Sequence, residues 1–421
     1  MYKIYLKNIE ETVEKRKELG PILVSNYLSS IIKNRRLALK LTLADTTENI
    51  CSEAFLSKLE RNMMNPINDR VELLCERLDL DYQTLINLDS NDRIDELLRL
   101  FMDGKYDEIL KINDQTVDGI FIAQDEIIKA YKYFINKDFK SLHLSVIDLD
   151  NVKECLSDIE LFALLLIVFE AYFYTMQYKK AFEYVSLLTK IKFNDRRYNL
   201  FIQEKKFILC CKMELDNVEY LFEEIRKDFH LLSLEKQFNL LLHYYEIFNT
   251  EEAYNYILDM GKKYIPSIYV EEYNYAKVLL LTKLNRNLEA MKEIVECNTF
   301  HIKFASLFAY NLLLYSYSDV SEIEVKKYKG SLINYIKLCA QNISETYHIA
   351  FLRLMQYEID GSGSEIVCNF IKNHLLKELK EFSYPLYDNY INERYCLLLG
   401  KLCRYKDAYL YLLETKMDLK K

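Results

Sequence analysis

Leu41–Leu88 reads LTLADTTENICSEAFLSKLERNMMNPINDRVELLCERLDLDYQTLINL, and the spacing of its caps and apolar positions decides the N-terminal fold. Thr42 is placed to cap a helix, with Asp45 at the third helical position, a carboxylate near the positive helix end. That helix ends near Ile50. Ser52 caps a second helix, to Arg61, whose apolar stripe is Leu56 and Leu59. Asn62 follows where a left-handed residue is often needed, a conformation Asn tolerates. Asn68 or Asp69 caps a third helix carrying Val71, Leu74, Cys75 and Leu78, and Tyr82–Leu88 makes a last short one. Upstream, Ser25 or Asn26 caps a helix through Ser29, Ile32, Arg36 and Leu39. Helices this short do not hold alone. Packed together they form a five-helix unit over 27–90, two of its helices joined by a tight turn. The arm before it, 1–26, opens with a charged segment, 1–20, ended by Gly20-Pro21; a helix there is one reading, but its apolar positions are few and the favoured reading is a solvated arm.

The rest of the composition agrees with an all-helical chain. Of 421 residues, half are hydrophobic and 29% charged, which excludes a disordered protein. Only eight glycines and four prolines are present, with none of the latter between Pro66 and Pro266, too few turn formers for a β-sandwich or doubly wound sheet. The net charge of -8 argues against a protein coating nucleic acid along its whole length. It leaves room for one small DNA-reading domain, and residues 1–40 hold nine Lys/Arg against four Asp/Glu. Ten cysteines without a CxxC pair read as reduced thiols of a cytoplasmic protein, and six scattered histidines without HExxH give no reason to expect a metal. The longest apolar run, Leu161–Phe169, is half a membrane span and reads as a buried helix. No phosphate loop, nucleophile elbow or kinase motif is present, so no catalytic residue, enzyme activity or cofactor is expected.

Beyond Asn91 a period emerges. An aromatic-x-x-small or apolar opening recurs at Tyr106–Ile109, Phe139–Leu142, Tyr178–Ala181 and Tyr405–Ala408, with looser copies at Thr250–Ala253 and Asn287–Ala290. The intervals 106 to 178 and 178 to 250 are both 72, twice 36, and 250 to 287 is 37. A small residue early in a second helix permits close packing on its partner. The period approaches that of tetratricopeptide (TPR) repeats, so 91–421 reads as a TPR-like domain of degenerate helical hairpins.

A second series keeps step: Ile202-Gln203, Phe238-Asn239, Tyr273-Asn274, Tyr310-Asn311 and Tyr347-His348, separated by 36, 35, 37 and 37. If these sit on the first helices of successive hairpins, the polar groups form a ladder. An amide offers both donor and acceptor and can pair with an extended peptide backbone. The bland alternative makes each aromatic core and each polar group merely solvated. Gln203, Asn239, Asn274, Asn311 and His348 are thus candidate peptide contacts, with Tyr273, Tyr310 and His243 beside them.

ENICS followed by LSKLER resembles the lambda-repressor-like (XRE) DNA-binding domain of PlcR- and Rgg-type regulators, with Arg36, Leu41-Thr42, Ile50, Leu56, Ser57, Leu59 and Glu60 in register. Leu43 stands where the family has Gln, Thr46-Thr47 where it has an aliphatic residue then Ala or Ser, and Asn62 where it has Gly. With the repeats, the chain resembles the RRNPP family of peptide-responsive regulators. The resemblance implies a five-helix HTH domain followed by a right-handed TPR-like α-solenoid, a homodimer, and partners comprising double-stranded operator DNA and a short signalling peptide, with no membrane. It assigns Ser52, Glu53, Ala54, Phe55 and Lys58 to bases or backbone, Arg36 and Arg61 to phosphate, with Thr42 and Ser57 completing the set. Tyr27–Asp89 has eight basic against ten acidic residues, so DNA contact needs a biased face. Other readings stay open: repeats that sequester a protein partner, a scaffold whose first domain has lost DNA binding, or the switch of a phage or conjugative element. The tyrosine- and leucine-rich stretch Asp407–Thr415 is the expected dimer surface, or simply a capping helix.

Overall fold

The computed structural model describes residues 4–19, 27–61, 69–83, 92–113, 123–191, 195–297, 299–318, 320–339 and 346–418, and among them every regular element is helical. Helix α1 is Ile9–Leu19, α2 Tyr27–Ala38, α3 Leu43–Thr47, α4 Glu53–Glu60 and α5 Asp69–Arg77. The hairpins then run α6 Asp92–Met102 with α7 Tyr106–Ile109, α8 Ala123–Ile135 with α9 Phe139–Val152, α10 Asp158–Tyr174 with α11 Tyr178–Leu188, and α12 Arg196–Lys212 with α13 Val218–Arg226. They continue with α14 Leu234–Glu246 and α15 Glu251–Lys263, α16 Val270–Lys283 and α17 Asn287–Glu296, α18 Ile302–Ser316 and α19 Glu322–Leu338, α20 Thr346–Ile359 and α21 Ser364–Phe370, and α22 Pro385–Lys401 and α23 Tyr405–Asp418. The chain is all-α, a helix-turn-helix followed by TPR-like hairpins. It divides into two compact units, Met1–Ala171 with Ala181–Ile202, and Tyr172–Lys180 with Gln203–Lys421. The expected boundary at 90/91 falls outside the described residues.

The periodic openings locate the second helices. Phe139, Tyr178, Asn287 and Tyr405 begin α9, α11, α17 and α23, and Thr250 caps α15 by accepting from the Ala253 N–H at 3.2 Å. The small or apolar partners Ile109, Leu142, Ala181, Ala253 and Ala290 are buried. In the second unit the first helices α14, α16, α18 and α20 pack in succession, and second helices bridge them, α17 touching both α16 and α18. Leu161–Phe169 lies buried in α10.

Few glycines sit at the hairpin turns. Seven turns follow one pattern: a left-handed residue (Gly104, Lys137, Met176, Glu214, Asn285, Gly361 or Cys403) ends the first helix. The next N–H then bonds back to the carbonyl five residues earlier, as in Asp138 to Tyr133, Leu215 to Cys210 and Arg286 to Leu281. This closure satisfies carbonyls the helix end would orphan. Five of the seven positions hold side chains in a conformation that costs about 1–2 kcal/mol outside glycine. The turn is thus held by its hydrogen bonds and by hairpin packing.

The N-terminal arm departs from expectation. Within 4–19 one face is packed and not solvated: Ile4, Leu6, Ile9 and Val13 are buried, while Tyr5, Lys7, Glu10, Glu11 and Glu14 are exposed. The Leu6 N–H donates to the Tyr184 hydroxyl (3.3 Å) and the Lys7 N–H to Asp150 (3.0 Å). Arg16 donates to Asp158 (3.1 Å) and to the Lys153 and Leu156 carbonyls (2.9 and 2.6 Å). Ile4 and Leu6 alternate as in an extended strip, and Ile9 and Val13 follow at helical spacing, so the apolar face changes period within ten residues.

The turn closures generate a test. Asn285→Val places a β-branched residue in the left-handed region and should lower stability by at least ~1 kcal/mol. Lys137→Gly should be neutral or stabilising by up to ~1 kcal/mol, since relieved strain is opposed by the entropy of a freer unfolded chain. Urea unfolding midpoints measure both.

Candidate functional site

The helix-turn-helix is built by its caps. Thr42 and Asp45 form a reciprocal box: the Asp45 N–H donates to Thr42 Oγ1 (3.1 Å) and the Thr42 N–H to Asp45 Oδ2 (2.9 Å). Those bonds hold the exposed Asp45 carboxyl below the usual carboxylate range. Ser52 caps α4 by accepting from the Phe55 N–H at 3.2 Å. Asn49, at φ 64, makes the turn between them. Thr46 and Thr47, the polar departures, are buried with hydroxyls donating to the Thr42 and Leu43 carbonyls at 2.8 and 2.9 Å, so their own helix satisfies them. Asn62, Asn68, Ser25 and Asn26 lie outside the described residues, as does Thr84–Leu88 of the last short helix.

On α4, Leu56, Leu59 and Glu60 face inward. Ser52, Glu53, Ala54, Lys58 and Arg61 are exposed, as is Thr42, while Phe55 and Ser57 are half-buried and the Arg70 guanidinium sits 5.7 Å from the Phe55 ring centroid. Arg36 is not among the exposed residues. Its guanidinium grips Glu60 bidentately (2.6 and 2.8 Å) and donates to the Leu41 carbonyl (3.0 Å). The two side chains are 10% and 7% exposed. Arg36 therefore ties α2 to α4, and its expected phosphate contact is corrected to a buried ion pair, whose rupture would strand a desolvated charge.

The ladder divides in two. Gln203 is exposed and Asn239 and Asn274 half-buried, on α12, α14 and α16, and no hydrogen bond within the described residues engages their side-chain amides. The adjacent Phe238 and Tyr273 rings lie 6.3 Å apart, which makes these positions neighbours from hairpin to hairpin. Asn311 is fully buried and donates to Thr282 Oγ1 and the Leu307 carbonyl, both at 2.8 Å. His348 is buried with Nδ1 2.9 Å from the Tyr387 hydroxyl. These two rungs hold the core and are corrected from peptide contacts to packing residues. Tyr273 is also a packing residue: a Cβ on Gly261 would lie 2.0 Å from its hydroxyl. Tyr310 is half-buried, edge-on to Tyr390 at 5.4 Å. His243 is buried and held by Glu246.

Beneath the open rungs lies a buried polar cluster absent from the sequence reading. Asn239, His243 and Glu246 share one face of α14 at spacings i, i+4 and i+7, and that pattern of polar residues was its available signal. Glu246 Oε1 accepts from Lys212 Nζ (2.5 Å) and meets His243 Nδ1 (3.0 Å). Burial alone would raise the Glu246 carboxyl; Lys212 and His243 overcome it and hold it well below the carboxylate range. Burial, then the Lys212 charge, lowers His243, whose neutral ring donates from Nδ1. Tyr275 and Tyr384 share a hydrogen bond at 2.9 Å, and burial pushes up both phenols. Tyr178 is pushed up by burial and then by the Glu246 charge. A cavity of about 10 Å³, room for one water, opens here among Lys212, Glu246, Lys283 and Tyr384. Among the described residues no group of three or more His, Cys, Asp or Glu could hold a metal, and no helix is long and apolar enough to cross a membrane.

The fold and site define an all-α helix-turn-helix protein with TPR-like hairpins and a row of unengaged amides. No family model matches the chain, and no curated protein matches it. Among solved structures, Bacillus thuringiensis PlcR in complex with the peptide PapR7 and DNA aligns at 14% identity, over 78% of this chain and 99% of that chain, with a TM-score of 0.23. The functional reading rests on this chain's own residues.

Two tests follow from the geometry. Asn311→Ala should cost about 2–3 kcal/mol, because Thr282 and the Leu307 carbonyl lose a buried donor, whereas Asn239→Ala and Asn274→Ala should leave chemical unfolding within about 0.5 kcal/mol of wild type. His348 titrates near pH 3 when folded, because burial and then the Lys303 charge disfavour its cation. Unfolded it takes a proton near its ordinary value of about 6.5. Its contribution is complete above pH 6.5 and is lost as pH falls from there toward 3. His348→Gln should therefore lose less stability than wild type between pH 7 and 5, as read by urea midpoints across that range.

Proposed function

We propose that this chain is a peptide-responsive transcription regulator of the cytoplasm. The α4 face of Ser52, Glu53, Ala54, Lys58 and Arg61, with Phe55, Ser57 and Thr42 at its edge, enters the major groove of operator DNA. A short extended peptide pairs its backbone with Gln203, Asn239 and Asn274. The carrying observation is the row of three unengaged amides on successive first helices, in a chain that also presents a helix-turn-helix with an exposed polar face. A peptide offers alternating N–H and C=O groups that such amides match without reading side chains.

A homodimer fits this reading, because readers of this class place two recognition helices about one DNA turn apart, ~34 Å. Tyr405, Tyr409, Leu410, Leu412 and Leu413 on α23, with Leu397 on α22, are exposed and supply an apolar surface for the second copy. The second reading is a scaffold that sequesters a protein while DNA binding is weak. It is favoured by Arg36, which Glu60 withholds from phosphate, and by Glu53 on the reading face.

The test uses duplexes and peptides selected from random libraries on the wild-type protein. Lys58→Ala with Arg61→Ala should weaken DNA binding at least tenfold and flatten its salt dependence by one to two in slope, by order of magnitude. Asn239→Ala with Asn274→Ala should keep DNA affinity and helicity while peptide affinity drops roughly tenfold or more. Unchanged DNA affinity after replacing Ser52, Lys58 and Arg61 together would sink the DNA assignment and leave the scaffold.

A further inference from the structure

Within the second unit, two turns distant in sequence meet. The Ser383 N–H donates to the Met176 carbonyl at 3.2 Å, and Lys180 Nζ pairs with Glu381 at 2.5 Å. Met176 is the left-handed residue of the α10–α11 turn. Glu381 and Ser383 lie just ahead of α22. These contacts sit at the rim, where the Lys180 and Glu381 side chains are 26% and 33% exposed. Behind them α22 delivers Tyr384 to Tyr275, and Tyr387 to His348.

The ion pair is half-buried at the edge of the contact, so water reaches part of each charged side chain. The interior directly behind it holds the hydroxyls of Tyr178, Tyr275 and Tyr384 and the paired Glu246 carboxylate, beside the buried apolar face of α22, where Tyr387 stacks on Phe351 and Ile391, Leu398 and Leu399 are covered. The chain leading into it is also irregular. Helix α21 passes into a π-helical turn, Ile371–Leu375, before the short helix Leu376–Glu378. π-turns weaken the regular ladder and recur where helices bend.

We propose that the hairpin α22–α23 is a gate, hinged at Ile371–Leu375 and latched by Met176 and Lys180 against Ser383 and Glu381, whose opening uncovers Tyr178, Glu246 and Tyr275 as the polar floor beneath the amide row. As a gate on the peptide wall it rests on the function proposed above. Its test needs no peptide, so the two fail separately.

Hydrogen exchange of the full chain, read by mass spectrometry, compares wild type with Lys180→Glu, Glu381→Lys and the double exchange of charges. Each single variant should speed exchange of 172–180 and 379–388 about fivefold, the double variant should return both toward wild type, and α1, α3 and α4 should be unaffected. Tyr384→Phe, which keeps the ring and removes the inner hydroxyl bond, should speed the same two segments. Wild-type exchange in the single variants, or faster exchange throughout without rescue in the double, overturns the gate.

Discussion

A carboxylate with almost no access to water needs a reason to stay charged, and for Glu246 the surrounding helices supply it. Lys212 arrives from the end of α12 and His243 from one turn back on α14. Lys283, from the end of α16, donates to the Glu246 and Ile247 carbonyls at 3.0 and 3.3 Å, binding the α14 terminus whose last carbonyls lack helical partners. Three consecutive first helices are thereby pinned at one level. A shift of one along its axis would separate an ammonium from a buried anion, which is far more costly than sliding one apolar face over another. Packing alone leaves such a stack of degenerate hairpins free to choose among close registers; the buried charge chooses one.

The hydroxyl cluster extends that constraint toward the C-terminus. Ser306 of α18 donates to the His348 carbonyl at 2.8 Å, and His348 meets Tyr387, whose ring stacks on Phe351 at 3.7 Å. Each contact joins a first helix to the one after it. The direct bond between Tyr275 on α16 and Tyr384, the residue that caps α22, is different, since it skips two hairpins. In a solenoid that touches only nearest neighbours no such bond exists. The second unit thus couples hairpins that a one-dimensional array would leave independent, and loosening one propagates to another.

What could be read from the sequence was local. Thr42 with Asp45, and Ser52 with the Phe55 N–H, act across three residues, so caps and helix starts followed from residue type. The aromatic-x-x-small openings worked for the same reason: each spans one helical turn at the start of a second helix, and all but Tyr405–Ala408 place a buried small or apolar residue there. Arg36 failed because Glu60, which claims it, is 24 residues away. The ladder failed selectively. Asn274 and Asn311 occupy the same register, yet Thr282 offers Asn311 a hydroxyl while nothing described engages Asn274. Register places a residue on a helix; the groups across from it determine whether its hydrogen bonds are already taken.

The N-terminal helix bears on how the DNA-reading face is held. Arg16 of α1 donates to two carbonyls and to Asp158 at the turn between α9 and α10. Helix α2 packs on the 3-10 part of that same turn, Lys153–Cys155, and Arg36 fixes α2 to α4. From Lys153 the path to the exposed face of α4 thus runs through one helix contact and one bidentate ion pair, and the latter does not slide without stranding a buried charge. A segment of flexible linker between reader and repeats would absorb small displacements of the hairpins. Here α1 and α2 both contact the α9–α10 turn, and the Arg36–Glu60 pair continues from α2 to α4, so the reading helix is linked to that turn by packed side chains and not by sequence alone.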